Sequence, residues 1–249
     1  MLNNLSVVLC RPKYSENIGS VARACINMGC SSLILVNPKE FDLNKALPLA
    51  TLKGKKVLEK ALFFSDLRYA LASFNKVYAT TARTGGWRKA ILYPEEASEQ
   101  IVEELKQGAK VAIVFGSEDA GLTNEEIKIC GQLITIPTYK EARSLNVAQA
   151  VLIILYEIFK RTKESPIPSN VRLGNNFATH EELLRLYDNI KQALLDIDFI
   201  RKDNTEYFLM PVKRFIQRIN LRKHEYNMLM GICRQIRWLK SLVNKGGNK

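Results

Sequence analysis

Apolar runs of four to six residues recur along the first 160 residues, and longer stretches with helical spacing of apolar side chains separate them. A short apolar run predicts a buried strand, whereas apolar spacing of three and four predicts an amphipathic helix. Alternation of the two is typical of βαβ units, so we predict an α/β domain built on a parallel sheet. Its strands are expected at residues 5–10, 32–36, 76–80, 110–115 and 133–136.

The helical patterns between these runs have recognisable ends. Gly29 follows the first pattern and is a favoured residue for a helix C-terminus, and a proline opens the pattern at 94–106. Residues 41–56 show no clear period. The predicted helices are residues 16–29, 57–63, 66–73, 94–106, 123–129 and 144–160.

The composition changes after residue 162. Residues 163–177 are rich in proline, serine and asparagine, which is typical of a linker. A Thr179–Glu182 capping box then begins a helical pattern, and no strand-type run follows. We therefore predict a first domain at 1–162, a linker at 163–177 and a small all-α extension at 178–249, with helices at residues 179–195, 208–219 and 222–242.

Basic residues are concentrated at one end of the chain. The whole chain has a formal net charge of +12, and residues 205–249 contain ten lysines and arginines against two acidic residues. A basic face suits a polyanion such as RNA, although a solubilising surface would have the same composition.

Several classes of protein are disfavoured. No apolar run approaches the roughly 20 residues of a membrane span, and the N-terminus lacks a signal-type segment, so we expect a cytoplasmic protein. Five cysteines without a CxxC pair, together with two histidines, offer no evident zinc site, so no metal is expected. The thiols are expected to be buried and reduced, and His180 and His224 to lie at the surface.

Unusual polar residues follow the predicted strands. A parallel α/β sheet binds ligands at the carboxyl ends of its strands. Those ends are residues 11–17, 80–83, 116–121 and 136–146. No GxGxxG or GxxxxGK[ST] pattern occurs, so an ordinary dinucleotide site or P-loop is disfavoured.

Three segments at these ends carry a family resemblance. They are Asn17-Ile-Gly19 through Arg23, Phe115-Gly116-Ser-Glu118 through Leu122, and Ile136-Pro137 followed by Ser144-Leu145-Asn146. In this order and spacing they resemble the SpoU/TrmH branch of the SPOUT RNA 2′-O-ribose methyltransferases. The RPxxxxNIGSVAR opening and the basic helical end are most similar to the TrmJ-like subgroup.

The resemblance implies more than periodicity does. It implies that the α/β domain ends in a deep trefoil knot (the SPOUT fold), that it forms a homodimer and that it binds S-adenosylmethionine. It implies methylation of tRNA at the ribose of nucleotide 32, a cytidine or uridine of the anticodon loop. The implied cofactor-binding residues are Thr80, Thr81, Ala82, Gly116, Ile136, Arg143, Ser144 and Leu145, and Arg143 would contribute a side chain or only backbone.

The resemblance also implies catalytic residues. Arg23 would act on the ribose 2′-hydroxyl. Because a guanidinium normally stays protonated, binding of the neighbouring phosphate is favoured over a general-base role. Asn17 could cap a helix or bond Arg23 or RNA, and Glu118 is expected to hold backbone N–H groups or pair with a basic residue. Asn146 would act in catalysis or cap a helix.

Basic residues outside the donor site are candidates for RNA contact. Trp87 could stack on RNA or pack in a dimer. The helical extension would bind tRNA or complete the dimer. Two other functions stay open, an rRNA 2′-O-methyltransferase of the same family and an RNA-binding relative without turnover. The RNA-binding candidates are Arg11, Arg83, Arg88, Lys213, Arg214 and Arg218.

Overall fold

A computed structural model of the chain describes residues 2–83, 91–142, 144–164, 166, 177–219 and 221–246. The chain divides into two compact units, one ending at residue 174 and the other beginning at residue 175. The first unit contains a seven-stranded sheet in which every bonded pair of strands is parallel. The predicted α/β class with a parallel sheet is therefore confirmed.

The sheet has β1 and β6 near its centre. Its order is β3-β2-β1-β6-β4-β7-β5, so the chain crosses from one half of the sheet to the other after β3. The central strands are completely buried apolar runs, as expected when helices cover both faces of a parallel sheet. The strands are β1 (Leu5–Cys10), β2 (Ser32–Val36), β3 (Leu62–Phe64), β4 (Lys76–Thr80), β5 (Ile91–Leu92), β6 (Val111–Phe115) and β7 (Gln132–Ile134).

Helices pack on both faces of this sheet. Alternate residues of β1 point to opposite faces, so Val7 lies in one core and Val8 in the other. Helices α1, α2, α4 and α6 contribute to the first core, and α3 and α5 contribute to the second. The helices are α1 (Ser15–Asn27), α2 (Leu43–Glu59), α3 (Leu67–Leu71), α4 (Pro94–Lys106), α5 (Asn124–Ile129) and α6 (Val147–Glu164).

The segment after β2 differs from the prediction. Residues 41–56 were expected to be irregular and 57–63 helical, but α2 spans Leu43–Glu59 and β3 follows it. Pro48 lies inside α2, and Thr51 interrupts it with φ 63° and ψ 172°. A proline and a break of this kind obscure helical spacing, which is why the period was not visible in the sequence.

The last helix of the first unit begins later than predicted. The predicted helix started at residue 144, whereas α6 starts at Val147. The side-chain Oδ1 of Asn146 accepts a hydrogen bond from the N–H of Ala148 at 2.9 Å, so Asn146 caps α6. The predicted strand at 133–136 is β7, which ends at Ile134, and residues 135–146 form the connection to α6.

The second unit is helical in the residues described, apart from an isolated bridge between Phe177 and Arg222. Its helices are α7 (His180–Asp196), α8 (Thr205–Arg218) and α9 (Lys223–Gly246), and they share an apolar core. The Thr179–Glu182 capping box is confirmed at the start of α7. The expected exposure of His180 is wrong, because this side chain is 5% exposed and lies at the first turn of α7 beside the core.

The cysteines and the hydropathy of the helices both bear on expectations from the sequence. All five cysteines are buried and free of disulfides. Within the part of the chain that the structure describes, the helices are too short or too polar to cross a bilayer.

Candidate active site

A cavity of about 430 Å³ lies at the carboxyl edge of the sheet. Segments that are distant in sequence meet here because parallel strands end at the same edge. Residues 80–83 are the end of β4 and the segment after it, residues 116–122 follow β6, and residues 144–150 include the start of α6. Of the predicted cofactor-binding residues, those lining the cavity are Thr80, Thr81, Ala82, Gly116, Ile136, Ser144 and Leu145.

The hydroxyl groups after β4 are bonded within the protein. Thr80 Oγ1 donates to the carbonyl of Val114 at 3.0 Å, which fixes the end of β4 against β6. Thr81 Oγ1 accepts from the N–H of Arg83 at 3.1 Å and so closes a small turn. A ligand in the cavity would therefore meet this segment mainly through its backbone.

The loop after β6 folds back on itself as a tight turn. A Cβ atom on Gly116 would lie 2.0 Å from the carbonyl carbon of Gly121, so only glycine fits there. Gly121 has φ 64°, a conformation that favours glycine, and its N–H donates to the carbonyl of Ser117 at 2.8 Å. The sequence motif at 115–122 thus specifies one wall of the cavity.

Three predicted catalytic residues form one chain of hydrogen bonds. Asn146 donates through Nδ2 to Asn17 Oδ1 at 3.0 Å, and Asn17 donates through Nδ2 to Glu118 Oε1 at 2.9 Å. The amide orientations follow from this network. The three motif segments therefore meet beside the cavity, although Asn17 is more than 100 residues from both Glu118 and Asn146.

Glu118 also holds the backbone at the start of α1. Its carboxylate accepts from the N–H of Lys13 at 3.0 Å and from the N–H of Tyr14 at 3.4 Å. These contacts agree with the expectation that Glu118 binds backbone N–H groups, and they tie the turn after β6 to α1. In the described part of the chain Asn17 bonds Glu118 and Asn146, and it forms no hydrogen bond with Arg23.

A second cluster connects Arg11, the residue after β1, to Glu126 of α5. Arg11 Nε lies 2.7 Å from Glu126 Oε1, and Arg11 Nη2 lies 2.8 Å from Glu126 Oε2. Burial raises the pKa of Glu126, but hydrogen bonds from Arg11 and from the Thr123 backbone outweigh it and lower this pKa to about 2. Burial, with the neighbouring Glu126 carboxylate, raises the pKa of the Cys10 thiol to about 12, so this thiol is not a reactive nucleophile.

Arg23 lies outside the lining of the cavity. Its side chain is exposed on α1. It follows Asn17 by six residues, which corresponds to about 120° around the helix axis and about 9 Å along it. The structure thus brings Asn17, Glu118 and Asn146 together and leaves Arg23 at the surface.

The predicted RNA-binding residues have varied surroundings. Arg83 is exposed at the rim of the cavity. Lys213 is bonded to Glu206 at 3.1 Å, Arg218 is exposed, and Arg214 is half-buried with interactions of its own. Arg88, Trp87 and Arg143 lie outside the described residues, and the roles predicted for them stay predictions.

Sequence reasoning missed part of the lining. Ile134, Val147 and Ala150 contribute apolar surface, and Asp119 contributes a carboxylate that Lys13 Nζ approaches to 2.5 Å. The apolar residues carried no separate signal, because a wall of a cavity and a packed core use the same side chains. Asp119 could have been found from its place inside the motif at 115–122.

The residues present fit a nucleoside-containing cofactor such as S-adenosylmethionine. The volume lies within the range usual for small-molecule sites. Apolar side chains line the cavity with exposed backbone and polar atoms from strand ends, which suits a purine and a ribose. Among the described residues, no group of three or more His, Cys, Asp or Glu side chains could hold a metal ion.

A cavity at the carboxyl edge of a parallel sheet is the usual place of the ligand site in an α/β enzyme. Residues 4–156 match the SpoU rRNA Methylase family. Residues 181–246 match the family of the tRNA methyltransferase TrmJ C-terminal domain. The chain is a methyltransferase and belongs to the SpoU family.

Individual relatives agree over nearly the whole length. The chain is 34% identical over 240 residues to tRNA (cytidine/uridine/adenosine-2′-O-)-methyltransferase TrmJ of Pseudomonas aeruginosa, covering 93% of each chain. It is 35% identical over 244 residues to tRNA (cytidine/uridine-2′-O-)-methyltransferase TrmJ of Pectobacterium atrosepticum, covering 95% of this chain and 98% of the relative. The crystal structure of TrmJ from Z. mobilis ZM4 matches with a TM-score of 0.74 at 29% identity, over 93% of this chain and 98% of that one.

Proposed function

We propose that this protein is an S-adenosylmethionine-dependent tRNA ribose 2′-O-methyltransferase that acts on nucleotide 32, a cytidine or uridine of the anticodon loop. The observation that carries the proposal is the hydrogen-bonded chain Asn146–Asn17–Glu118 beside the cavity. It joins all three motif segments of the family at one site. The names of the relatives at 34% and 35% identity support tRNA as the substrate.

The cavity would hold the methyl donor. S-adenosylmethionine, when bound, would supply the methyl group: an in-line ribose oxygen would bond the methyl carbon as the carbon–sulfur bond breaks, leaving a neutral thioether, and the 2′-hydroxyl proton would pass to solvent. Backbone groups after β4 and the turn at 116–122 would hold and orient the donor, because orientation of the two reactants supplies much of the rate. The proposed cofactor-binding residues are Thr80, Thr81, Ala82, Gly116, Ile136, Arg143, Ser144 and Leu145.

Arg23 would act on the RNA rather than on the donor. Its exposed guanidinium can bind a backbone phosphate through two parallel hydrogen bonds and so place the neighbouring 2′-hydroxyl. Glu118 and Asn17 would keep the start of α1 in register with the cavity, since Asn17 donates to Glu118 and Glu118 accepts from the N–H of Lys13. Asn146 would support the same register from α6.

The two units would divide the work. We propose that residues 1–162 form the catalytic domain, that 163–177 are a linker and that 178–249 bind tRNA. Loops of tRNA are recognised by shape, stacking and phosphate contacts, which suits a basic helical surface. Arg83, Arg88, Lys213, Arg214 and Arg218 are the proposed RNA contacts, and Arg11 differs from them because its guanidinium is already bonded to Glu126.

Family membership supports three further features. We propose that the end of the catalytic domain is a deep trefoil knot, a rare exception to the rule against threaded chains. We also propose a cytoplasmic homodimer. Leu152, Ile153 and Tyr156 are 40%, 37% and 51% exposed on one side of α6, and an apolar face of this kind is typical of a subunit interface.

The test uses purified protein with unmodified tRNA transcripts and S-adenosylmethionine carrying a labelled methyl group. We expect transfer to transcripts with cytidine or uridine at nucleotide 32, and none to a matched transcript with a 2′-deoxynucleotide there. Transfer of label to ribosomal RNA and none to tRNA would favour the rRNA alternative. Binding of donor and tRNA without transfer to either RNA would favour the non-catalytic alternative.

A further inference from the structure

Arg11 occupies an unusual position at the end of β1. It has φ 54°, a left-handed backbone conformation that is uncommon for residues other than glycine. Its N–H nevertheless donates to the carbonyl of Val36 at 2.8 Å, so the conformation is anchored to β2. The side chain is therefore directed from a fixed point, and it is 33% exposed.

The guanidinium of Arg11 donates three hydrogen bonds, to α5 and to the turn at 116–122. Two go to the carboxylate of Glu126, and the third runs from Nη2 to the carbonyl oxygen of Gly121 at 3.1 Å. Gly121 lines the cavity, whereas Arg11 does not. Arg11 thus contacts the cavity wall from behind.

Glu126 is fixed from a second side. Its Oε2 accepts from the N–H of Thr123 at 2.7 Å as part of the capping box that begins α5. The carboxylate is mostly buried, with 15% of the side chain exposed. An ion pair in such a site orients its neighbours more firmly than an exposed pair such as Lys13–Asp119, whose side chains are 36% and 59% exposed.

The turn at 116–122 has little room to adjust. Gly116 and Gly121 are in such close contact that a Cβ on the former would overlap the latter. A shift of the Gly121 carbonyl would therefore move the lining of the cavity as well. Because Arg11 bonds that carbonyl, the position of the turn depends on the Arg11 side chain.

We propose that Arg11 is a positioning residue for the methyl-donor site, which it maintains by holding the turn at 116–122 against β1 and α5 through Glu126 and Gly121. The inference rests on the proposed function for the identity of the donor. It replaces direct RNA contact as the main role of Arg11, since three of the five guanidinium N–H donors, on Nε and Nη2, are bonded inside the protein.

The first measurement needs no cofactor. Hydrogen exchange is followed in ligand-free wild type, Arg11→Met and Arg11→Lys. The control is Lys128→Met, which removes an exposed ion pair on α5, the helix that contains Glu126. We expect amides of residues 116–122 to exchange about tenfold faster in Arg11→Met, to be intermediate in Arg11→Lys and to be unchanged in the control. Faster exchange spread evenly over β1 and β6 would show a general loss of stability and overturn the proposal.

The second measurement separates donor from RNA. In Arg11→Met we expect the KM for S-adenosylmethionine to rise about tenfold and the Kd for tRNA to stay within twofold. Glu126→Gln, which keeps the size of the side chain, should raise the same KM. An unchanged KM with weaker tRNA binding and a smaller salt dependence would establish RNA contact instead.

The two measurements also separate this inference from the proposed function. If wild type binds no S-adenosylmethionine, the proposed function fails. The exchange of residues 116–122 still decides whether Arg11 positions the turn.

Discussion

Three side chains, Asn17, Glu118 and Asn146, connect the ends of three elements through two hydrogen bonds of 2.9 and 3.0 Å. The family resemblance pointed to all three, because each lies in one of the three motif segments. Their mutual arrangement was not predictable, since it depends on which strand ends become neighbours in the sheet. Asn146 caps α6 and also bonds Asn17, and its part in catalysis stays a prediction.

Arg11 shows the opposite limit of sequence reasoning. A basic residue after the first strand suggested RNA contact. Its partner Glu126 is 115 residues away, and nothing in the sequence singled it out. A long-range ion pair of this kind has no local pattern, so only the folded chain shows it.

The residue-scale prediction concerns Arg23. Arg23→Ala should reduce methylation of tRNA by at least about a hundredfold, because the variant cannot place the ribose hydroxyl. Binding of S-adenosylmethionine should be unchanged, since Arg23 lies outside the cavity lining. Single-turnover methylation and donor titration measure these effects.

A matched control is Arg68→Ala, which removes an exposed arginine from α3. Its activity should equal that of wild type. Activity of Arg23→Ala within a few-fold of wild type would remove Arg23 from the catalytic machinery.

Among the elements, long apolar strands were predicted within one residue of their observed ends, because burial on both faces leaves an unbroken apolar run. The short edge strands β3 and β5 were missed. Leu62 and Phe63 are 54% and 51% exposed, so these positions lack the burial that produces a pattern. The break at Thr51 concealed α2 for a related reason, since two short helical pieces carry a weaker period than one long helix.

A buried polar group links α4 to β4. Tyr78 donates through its hydroxyl to Glu104 Oε2 at 3.0 Å, and Lys76 Nζ lies 3.7 Å from Glu104 Oε1. Burial raises the pKa of Glu104 to about 7, and the contacts with Lys76 and Tyr78 only partly oppose this rise.

This pKa predicts a pH dependence of stability. The folded state binds the Glu104 proton more tightly than the unfolded state, whose pKa is near 4.5. The stabilisation is therefore complete below about pH 4.5 and is lost as pH rises through about 7. Urea unfolding at pH 5 and pH 7.5 should show a loss of about 2 kcal/mol from this group in wild type.

Glu104→Gln should remove most of that difference, because glutamine does not titrate. Glu103→Gln, at an exposed neighbouring position, should retain it. Equal pH dependence in all three proteins would show that Glu104 does not titrate in this range.

At the scale of the molecule, the change of composition after residue 162 predicted that a helical extension would follow an α/β domain. The structure divides the chain after residue 174. The basic charge of the extension was also evident, but the Glu206 partner of Lys213 was not, since the two lie about two turns apart on α8 and the pairing depends on rotamers.

The molecular-scale prediction concerns tRNA affinity. A fragment of residues 1–174 lacks the basic second unit, so its Kd for tRNA should rise at least about tenfold and vary less with salt. Donor binding should persist, because all lining residues of the cavity belong to the first unit. Filter binding at several salt concentrations and donor titration test both statements.

The intact chain at the same salt is the reference for this comparison. An unchanged Kd at moderate salt would mean that the second unit makes no net contribution to RNA binding. The proposal would then assign tRNA recognition to the first unit.

The order in which the cavity walls occur along the chain has a consequence for biosynthesis. The last strand, β7, ends at Ile134, but Ser144, Leu145, Val147 and Ala150 are still needed to close one side of the cavity. A nascent chain that has emerged from the ribosome only to residue 140 therefore contains all seven strands of the described sheet and an incomplete cavity. A ligand of this cavity stabilises the finished domain and gives no comparable support to the growing chain.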